Sequence, residues 1–122
     1  MANIEELDKA IGAHGMWKTR LRNAIESGTI DVAPDTIRVD NQCAFGKWLY
    51  GSTLSTGDKA SSNYKKVKEL HADFHKTAAQ VAELAINGNK ADAERMIAPS
   101  GEYATISSRL TLAMMEWKKV SK

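Results

Sequence analysis

The 122-residue sequence contains one cysteine, two prolines and eight aromatic residues. A single cysteine cannot form a disulfide within the chain, which excludes the disulfide-stapled secreted domains. No apolar run approaches the ~20 residues that a transmembrane helix needs, and the N-terminal stretch MANIEELDKA lacks the apolar core of a signal peptide. We therefore expect a cytoplasmic protein with no membrane partner, in a compartment where thiols stay reduced.

An excess of one charge is also missing. The sequence has 17 basic and 15 acidic residues, which gives a formal net charge of +2 at pH 7. The two signs are interleaved, without the basic block or arginine–aromatic series that typifies nucleic-acid binding, so we expect no nucleic-acid partner. A glycine-rich phosphate loop and a serine nucleophile elbow are absent as well.

What the sequence does contain is apolar residues at alternating spacings of three and four, which mark one face of an α-helix. This pattern covers residues 4–27 and stops at a glycine. A second long helix is predicted to start at Asp58 or Ser61 and to end at Asn87-Gly88, because Asn-Gly breaks helices. A third follows the break at residues 99–101.

Shorter helices are predicted between the long ones. One covers about residues 42–50, with Asp40 or Asn41 as its cap, and another runs from a cap at Asn89 to Met96. The stretch GSTLSTGD is predicted to be a loop.

No segment shows the sustained alternation of a β-strand, and the chain has no internal repeat. The sequence therefore predicts an all-α fold that forms a single domain over residues 1–122. The expected architecture is an antiparallel bundle of three long helices plus one or two short ones, four to five helices in total.

The candidate chemistry lies in the three histidines, each within a predicted helix. His71 and His75 are four residues apart, so one helical face presents both imidazoles about a turn apart. His14 occupies the apolar face of the first helix. A lone histidine on such a face is more often a hydrogen-bonded core residue, and a lone cysteine such as Cys43 is more often a packing residue.

Taken together, however, these four residues favour a metal site. Three imidazole nitrogens and one thiolate are the usual tetrahedral complement of zinc, while a buried set of imidazoles without partners is costly to desolvate. Cobalt and nickel remain alternatives, because the affinity orders of these metals overlap. Four protein ligands leave no open position for a substrate water, so the site is interpreted as structural or sensory and not hydrolytic.

The motifs around these residues are similar to those of the chemoreceptor zinc-binding domain family, or CZB family. The family pattern is a histidine followed three residues later by an aromatic, then Cys-x-Phe/Leu-Gly-x-Trp, then an HxxxH pair. This sequence has His14 in AHGMW, Cys43 in CAFGKWLYG, and the pair in HADFH, and the resemblance extends from about residue 4 to 120. The remaining motif residues form an expected supporting shell: Trp17, Phe45, Gly46 and Trp48.

The resemblance implies a helical bundle that binds Zn²⁺ through His14, Cys43, His71 and His75. It also implies a sensory or regulatory domain of bacterial signalling, of the chemotaxis-receptor or diguanylate-cyclase type. Such domains respond to zinc or to oxidants such as hypochlorous acid, with Cys43 as the redox-sensitive ligand. A homodimer and a fused or partner output domain are implied in the same way.

Three alternatives remain open from the sequence. A zinc-stabilised helical interaction module would have no signalling role, and a metal-free interaction bundle would leave the three histidines unexplained. A di-iron enzyme would require glutamates in ExxH spacing. No histidine here has a glutamate three residues before it, so we expect no enzymatic activity.

Overall fold

A computed structural model describes residues 4–30, 33–39, 43–52 and 54–120. Within these ranges every regular element is a helix and no strand forms, which confirms the all-α prediction. The helices are α1 (Ile4–Ser27), α2 (Pro34–Arg38), α3 (Ala44–Tyr50), α4 (Thr56–Ala60), α5 (Ser62–Ile86), α6 (Lys90–Ile97) and α7 (Glu102–Val120).

Helix α5 is the centre of the bundle, because α1, α2, α4, α6 and α7 all pack against it. Its apolar face recurs at helical spacing and is rich in alanine, which lets neighbouring helices approach closely. The buried apolar residues of this face are Tyr64, Val67, Phe74, Ala78, Ala79, Val81, Ala82 and Ala85. None of the described helices is long and apolar enough to cross a membrane.

The long helices end where local sequence chemistry ends them. Gly28 has a φ of 75°, and its N–H donates to the carbonyl of Ala24 at 2.7 Å, which terminates α1. At the other long helix, the Ser61 hydroxyl accepts from the N–H of Tyr64 at 3.1 Å and caps α5. These bounds agree with the predicted ones.

The prediction of a loop for GSTLSTGD was wrong for its last three residues, because α4 begins at Thr56. Ser55 Oγ accepts from the N–H of Asp58 at 3.0 Å, and the Asp58 carboxylate accepts from the N–H of Ser55 at 3.4 Å. This reciprocal capping box stabilises a single helical turn whose sequence is too short and too polar to show periodicity.

Helix α2 was also missed in the connector of residues 28–42. It begins with Pro34 at its first position, which suits a helix start, and it buries Ile37 to 2% exposure. Arg38 forms ion pairs with Asp35 and with Glu83 of α5. A five-residue helix is therefore held on the surface of α5 by one apolar anchor and one exposed ion pair.

Helix α3 begins at Ala44, with Cys43 as its N-cap residue. The predicted caps Asp40 and Asn41, and the predicted start near Gln42, lie outside the described residues. Asn89 is the N-cap residue of α6, as predicted, but its side chain makes no capping hydrogen bond.

Candidate metal site

Four side chains meet in the interior between α1, α3 and α5: His14, Cys43, His71 and His75. Each offers one ligand atom, and these atoms all lie within 4.8 Å of one another. The three histidines are buried, with His71 at 0% and His75 at 2% exposure, whereas Cys43 is half-buried. The fold thus brings together the four residues that the sequence selected.

The distances within the cluster suit a tetrahedral metal. His71 Nε2 and His75 Nε2 are 3.0 Å apart, and Cys43 Sγ lies 3.4 Å from His71 Nε2 and 3.6 Å from His75 Nε2. Zinc bonds of about 2.0–2.1 Å to nitrogen and 2.3 Å to sulfur, at tetrahedral angles, separate two nitrogens by about 3.3 Å and sulfur from nitrogen by about 3.6 Å. The three observed separations are close to the edges of such a tetrahedron.

Two imidazoles are oriented by backbone carbonyls. His14 Nδ1 lies 2.7 Å from the carbonyl oxygen of Ala10, and His75 Nδ1 lies 2.8 Å from that of Ile37. A carbonyl oxygen only accepts, so each Nδ1 carries the proton and donates it, and each Nε2 keeps a lone pair. This outer hydrogen bond is the one that metal-ligating histidines usually make, and it fixes the tautomer that a metal requires.

The donor set passes a further test, because one nitrogen that faces the site is buried without a protein partner. His14 Nε2 has no hydrogen-bond partner among the residues that the structure describes, although His14 is only 5% exposed. A buried lone pair of this kind is normally satisfied by a donor, a water or an ion. A metal held by the four side chains accounts for it.

His71 differs from the other two imidazoles. Its Nδ1 is buried and has no partner in the described part of the chain, while its Nε2 faces both Cys43 and His75. Because His75 carries its proton on Nδ1, His71 Nε2–H is the donor between the two rings in this arrangement. Metal ligation through His71 Nε2 therefore requires this proton to move to Nδ1.

Burial keeps His14 and His71 in the uncharged form that binds metals. Desolvation lowers the pKa of His14 to about 4, opposed by the hydrogen bond to Ala10 and assisted by His75. Desolvation, with the neighbouring His75 and His14, lowers the pKa of His71 to about 2. Both imidazoles are thus uncharged at neutral pH, with one protonated ring nitrogen each, which is the state that ligates metals.

Cys43 sits where a thiolate is favoured. Its Sγ accepts from the N–H of Gly46 at 3.3 Å, in place of the hydroxyl that commonly caps a helix. The partial positive charge of a helix N-terminus stabilises an anion, and a bound cation would stabilise it further.

The predicted supporting residues take different places around the site. Phe45 packs edge-on against His14, at 5.7 Å between ring centroids, and against His71, at 5.1 Å. Trp48 stacks on Phe45 at 5.5 Å, one layer further out. Half-buried Trp17, with Arg20 4.0 Å from its ring centroid, lines a small cavity next to His14. A wider surface groove of about 540 Å³ elsewhere contains none of the four candidate ligands.

Sequence reasoning missed three contributors to the site. Phe74 packs its ring against His14 at 5.1 Å and against His75 at 5.7 Å, and as an apolar residue it carries no ligand chemistry that could mark it. The carbonyls of Ala10 and Ile37 carry no side-chain signal. Ala10 lies four residues before His14, one helical turn away, so its position offered a clue that Ile37 did not.

Comparison with known proteins gives one match. The family model of the chemoreceptor zinc-binding domain, CZB, matches residues 14–82, a range that contains all four candidate ligands and excludes α6 and α7. No curated protein and no solved structure matches the chain. Because the family model covers more than half of the 122 residues, the chain belongs to the chemoreceptor zinc-binding domain family.

Proposed function

We propose that this chain is a zinc-binding sensory or regulatory domain of bacterial signalling, with His14, Cys43, His71 and His75 as the four zinc ligands. The observation that carries the proposal is the meeting of three buried imidazoles and one thiol within 4.8 Å, at separations close to tetrahedral edges. When bound, Zn²⁺ would link α1, α3 and α5 and hold Cys43 as a thiolate.

A sensory role is favoured over a purely structural one by the size of the core. A continuous cluster of buried apolar side chains extends from Leu7 in α1 to Trp117 in α7, well beyond the metal cluster. A chain of this length buries roughly two-thirds of its surface on folding, so a metal staple is not needed to hold it folded. A metal that is dispensable for folding is free to act as a signal.

Cys43 is the ligand through which we propose that oxidants act. It is the one thiol in the sequence and it is only half-buried, whereas the three imidazoles are buried and lack redox chemistry. Four protein ligands leave no site for a substrate water, which supports a role without catalysis. Zinc itself is the second stimulus that the same site supports.

Membership of the CZB family supports the remaining parts of the proposal. We propose that the domain works in the cytoplasm as a homodimer and transmits its state to a fused or partner output domain, of the chemotaxis-receptor or diguanylate-cyclase type.

The direct test is the metal content of the purified protein and of variants. We expect one zinc per chain, and we expect zinc affinity in Cys43→Ala and His71→Ala to fall by more than the about 10–100-fold that loss of an outer partner costs. Lys76→Ala is the matched control, because Lys76 is exposed on α5 beside His75. Metal-free protein purified under reducing, chelator-free conditions contradicts the proposal.

A further inference from the structure

A cavity of about 120 Å³ lies between α1 and α3, next to the candidate metal site. Cys43 and His14 form part of its wall, so it adjoins two of the four candidate ligands. On a liquid-volume basis this space holds about four water-sized molecules, at about 30 Å³ each. The cavity is therefore large enough for a reagent of a few heavy atoms.

The remaining wall is mostly apolar. It includes the methyl groups of Ala10, Ala13 and Ala44 and the rings of Trp17 and Phe45. Glu6 and Lys9 also line the cavity, and they form an ion pair with each other at 3.8 Å. Because their charges offset each other, the wall offers neither a cation nor an anion a strong partner.

The α5 side of the cluster is closed in comparison. His71 and His75 are 0% and 2% exposed and do not line the cavity. His14, which does line it, is buried and leaves Nε2 without a protein partner among the described residues. The cavity is thus bounded in part by a buried imidazole and a half-buried cysteine, and not by apolar side chains alone.

We propose that this cavity is the route by which small uncharged electrophiles reach Cys43 Sγ while α3 stays packed in the bundle. Larger reagents are excluded by the wall, so Cys43 is selective for reagent size. The inference rests on the proposed function, since it defines the chemical class that the sensory thiol admits.

The test uses metal-free, reduced protein and two reagents of the same chemistry, methyl methanethiosulfonate and its bulkier benzyl analogue. In each reaction the Cys43 thiolate attacks the sulfenyl sulfur, a new S–S bond forms, and methanesulfinate leaves with the bonding electron pair. Cys43 is the only thiol, so the intact mass of the chain reports its modification directly. Each rate is divided by the rate for an unstructured peptide with the same cysteine.

Ala13→Trp fills the cavity from an exposed position on α1, so it requires no change in the core. Ala91→Trp is the matched control, because Ala91 is exposed on a helix that does not line the cavity. We expect the normalised rate for the benzyl reagent to be at least about tenfold below that for the methyl reagent. We expect Ala13→Trp, but not Ala91→Trp, to slow the methyl reaction by at least about tenfold. Ala44→Leu fills the opposite wall and serves as a second variant if Ala13→Trp does not fold.

Equal normalised rates for the two reagents overturn the inference, because they mean that the cavity does not limit the size of the reagent that reaches Cys43, whether the thiol is openly accessible or is reached when α3 opens. So does a methyl reaction that Ala13→Trp and Ala44→Leu leave unchanged. The assay contains no metal, so either failure leaves the zinc proposal standing. Equally, a failure to bind zinc leaves this result intact.

Discussion

His71 and His75 lie on the 25-residue helix α5, whereas Cys43 caps the seven-residue helix α3. Helix α5 packs against five other helices and is fixed by the core of the whole domain. Helix α3 is far too short to be stable alone, and Gly46 costs it about 1 kcal/mol of helix propensity relative to alanine. Its position depends on the burial of Phe45, Trp48 and Leu49.

The difference places the ligands on parts of the fold with unequal local stability. The imidazoles of His71 and His75 stay in place for as long as the bundle is folded, because α5 opens only with the core. The thiol stays in place only while α3 remains docked. Loss of the Cys43–metal bond therefore affects α3 before α5. In this way a single ligand shifts the equilibrium between docked and undocked α3.

The largest predicted effect compares the loss of one phenylalanine side chain in α5 with the loss of one in α3. Phe74→Ala in α5 should lower the unfolding free energy of the metal-free protein by about 3–5 kcal/mol, because Phe74 is fully buried in the common core. Phe45→Ala in α3 should lower the unfolding free energy by less, since α3 can detach while the rest of the bundle stays folded. Urea denaturation followed by helicity measures both, and an equal cost for the two variants contradicts the comparison.

The next effect concerns pH. The pKa of His14 is lowered to about 4 and that of His71 to about 2, both chiefly by burial and both below the ~6.5 of an unfolded histidine. Between these values the unfolded chain binds more protons, so the stability present above about pH 6.5 is lost as the pH falls towards about 4. The expected slope is up to about 1.4 kcal/mol per pH unit for each such histidine.

Urea denaturation of the metal-free protein between pH 5 and 7 measures this slope. His14→Gln removes one titrating group and should flatten the dependence, with Lys18→Gln on the same helix as the control. A stability that does not change over this range in the wild type refutes the prediction.

A third prediction tests whether the metal acts on α3 in particular. Zinc should raise the amide hydrogen-exchange protection of residues 43–51 by at least about tenfold, and it should change the α5 segment of residues 76–86 less. Exchange measured with and without zinc gives both values from one sample. Equal protection of residues 43–51 in the two states would remove the basis for an α3-centred response.

The smallest predicted effect concerns the outer support of His75. Arg38→Ala removes the ion pair that ties α2 to Glu83, and an exposed pair of this kind contributes at most about 1 kcal/mol. Because α2 supplies the Ile37 carbonyl that orients His75, zinc affinity should fall by no more than about tenfold. Arg95→Ala, which breaks the exposed pair with Asp92, is the control and should leave affinity unchanged.

Helices whose residues follow a long periodic pattern were predictable, and so were the short helices α3 and α6, whereas the five-residue helices α2 and α4 were missed. The bounds of α1 and α5 followed from apolar spacing and from glycine breaks, and the four ligand candidates followed from residue types that are scarce in the chain. Helix α4 depends on a two-residue capping box, and α2 on a proline start and one buried isoleucine. Neither signal extends over enough residues to show a period.

The outer shell was hidden for a different reason. His75 is oriented by a backbone carbonyl, which every residue possesses, so no residue type in the connector could mark it. Its partner Ile37 is 38 positions away in the chain, and only the packing of α2 on α5 brings the two together.

The aromatic stack on α3 has an optical consequence. Phe45 lies against two candidate ligands, Trp48 lies on Phe45, and the Trp48 ring is 5.6 Å from that of Trp117 in α7. Two indole rings at this distance and tilted by 42° couple their electronic transitions. The near-ultraviolet circular dichroism therefore depends on the position of α3 relative to α7. The near-ultraviolet circular dichroism of the unlabelled protein therefore reports whether α3 is docked, through a tryptophan pair that Phe45 connects to the candidate ligands.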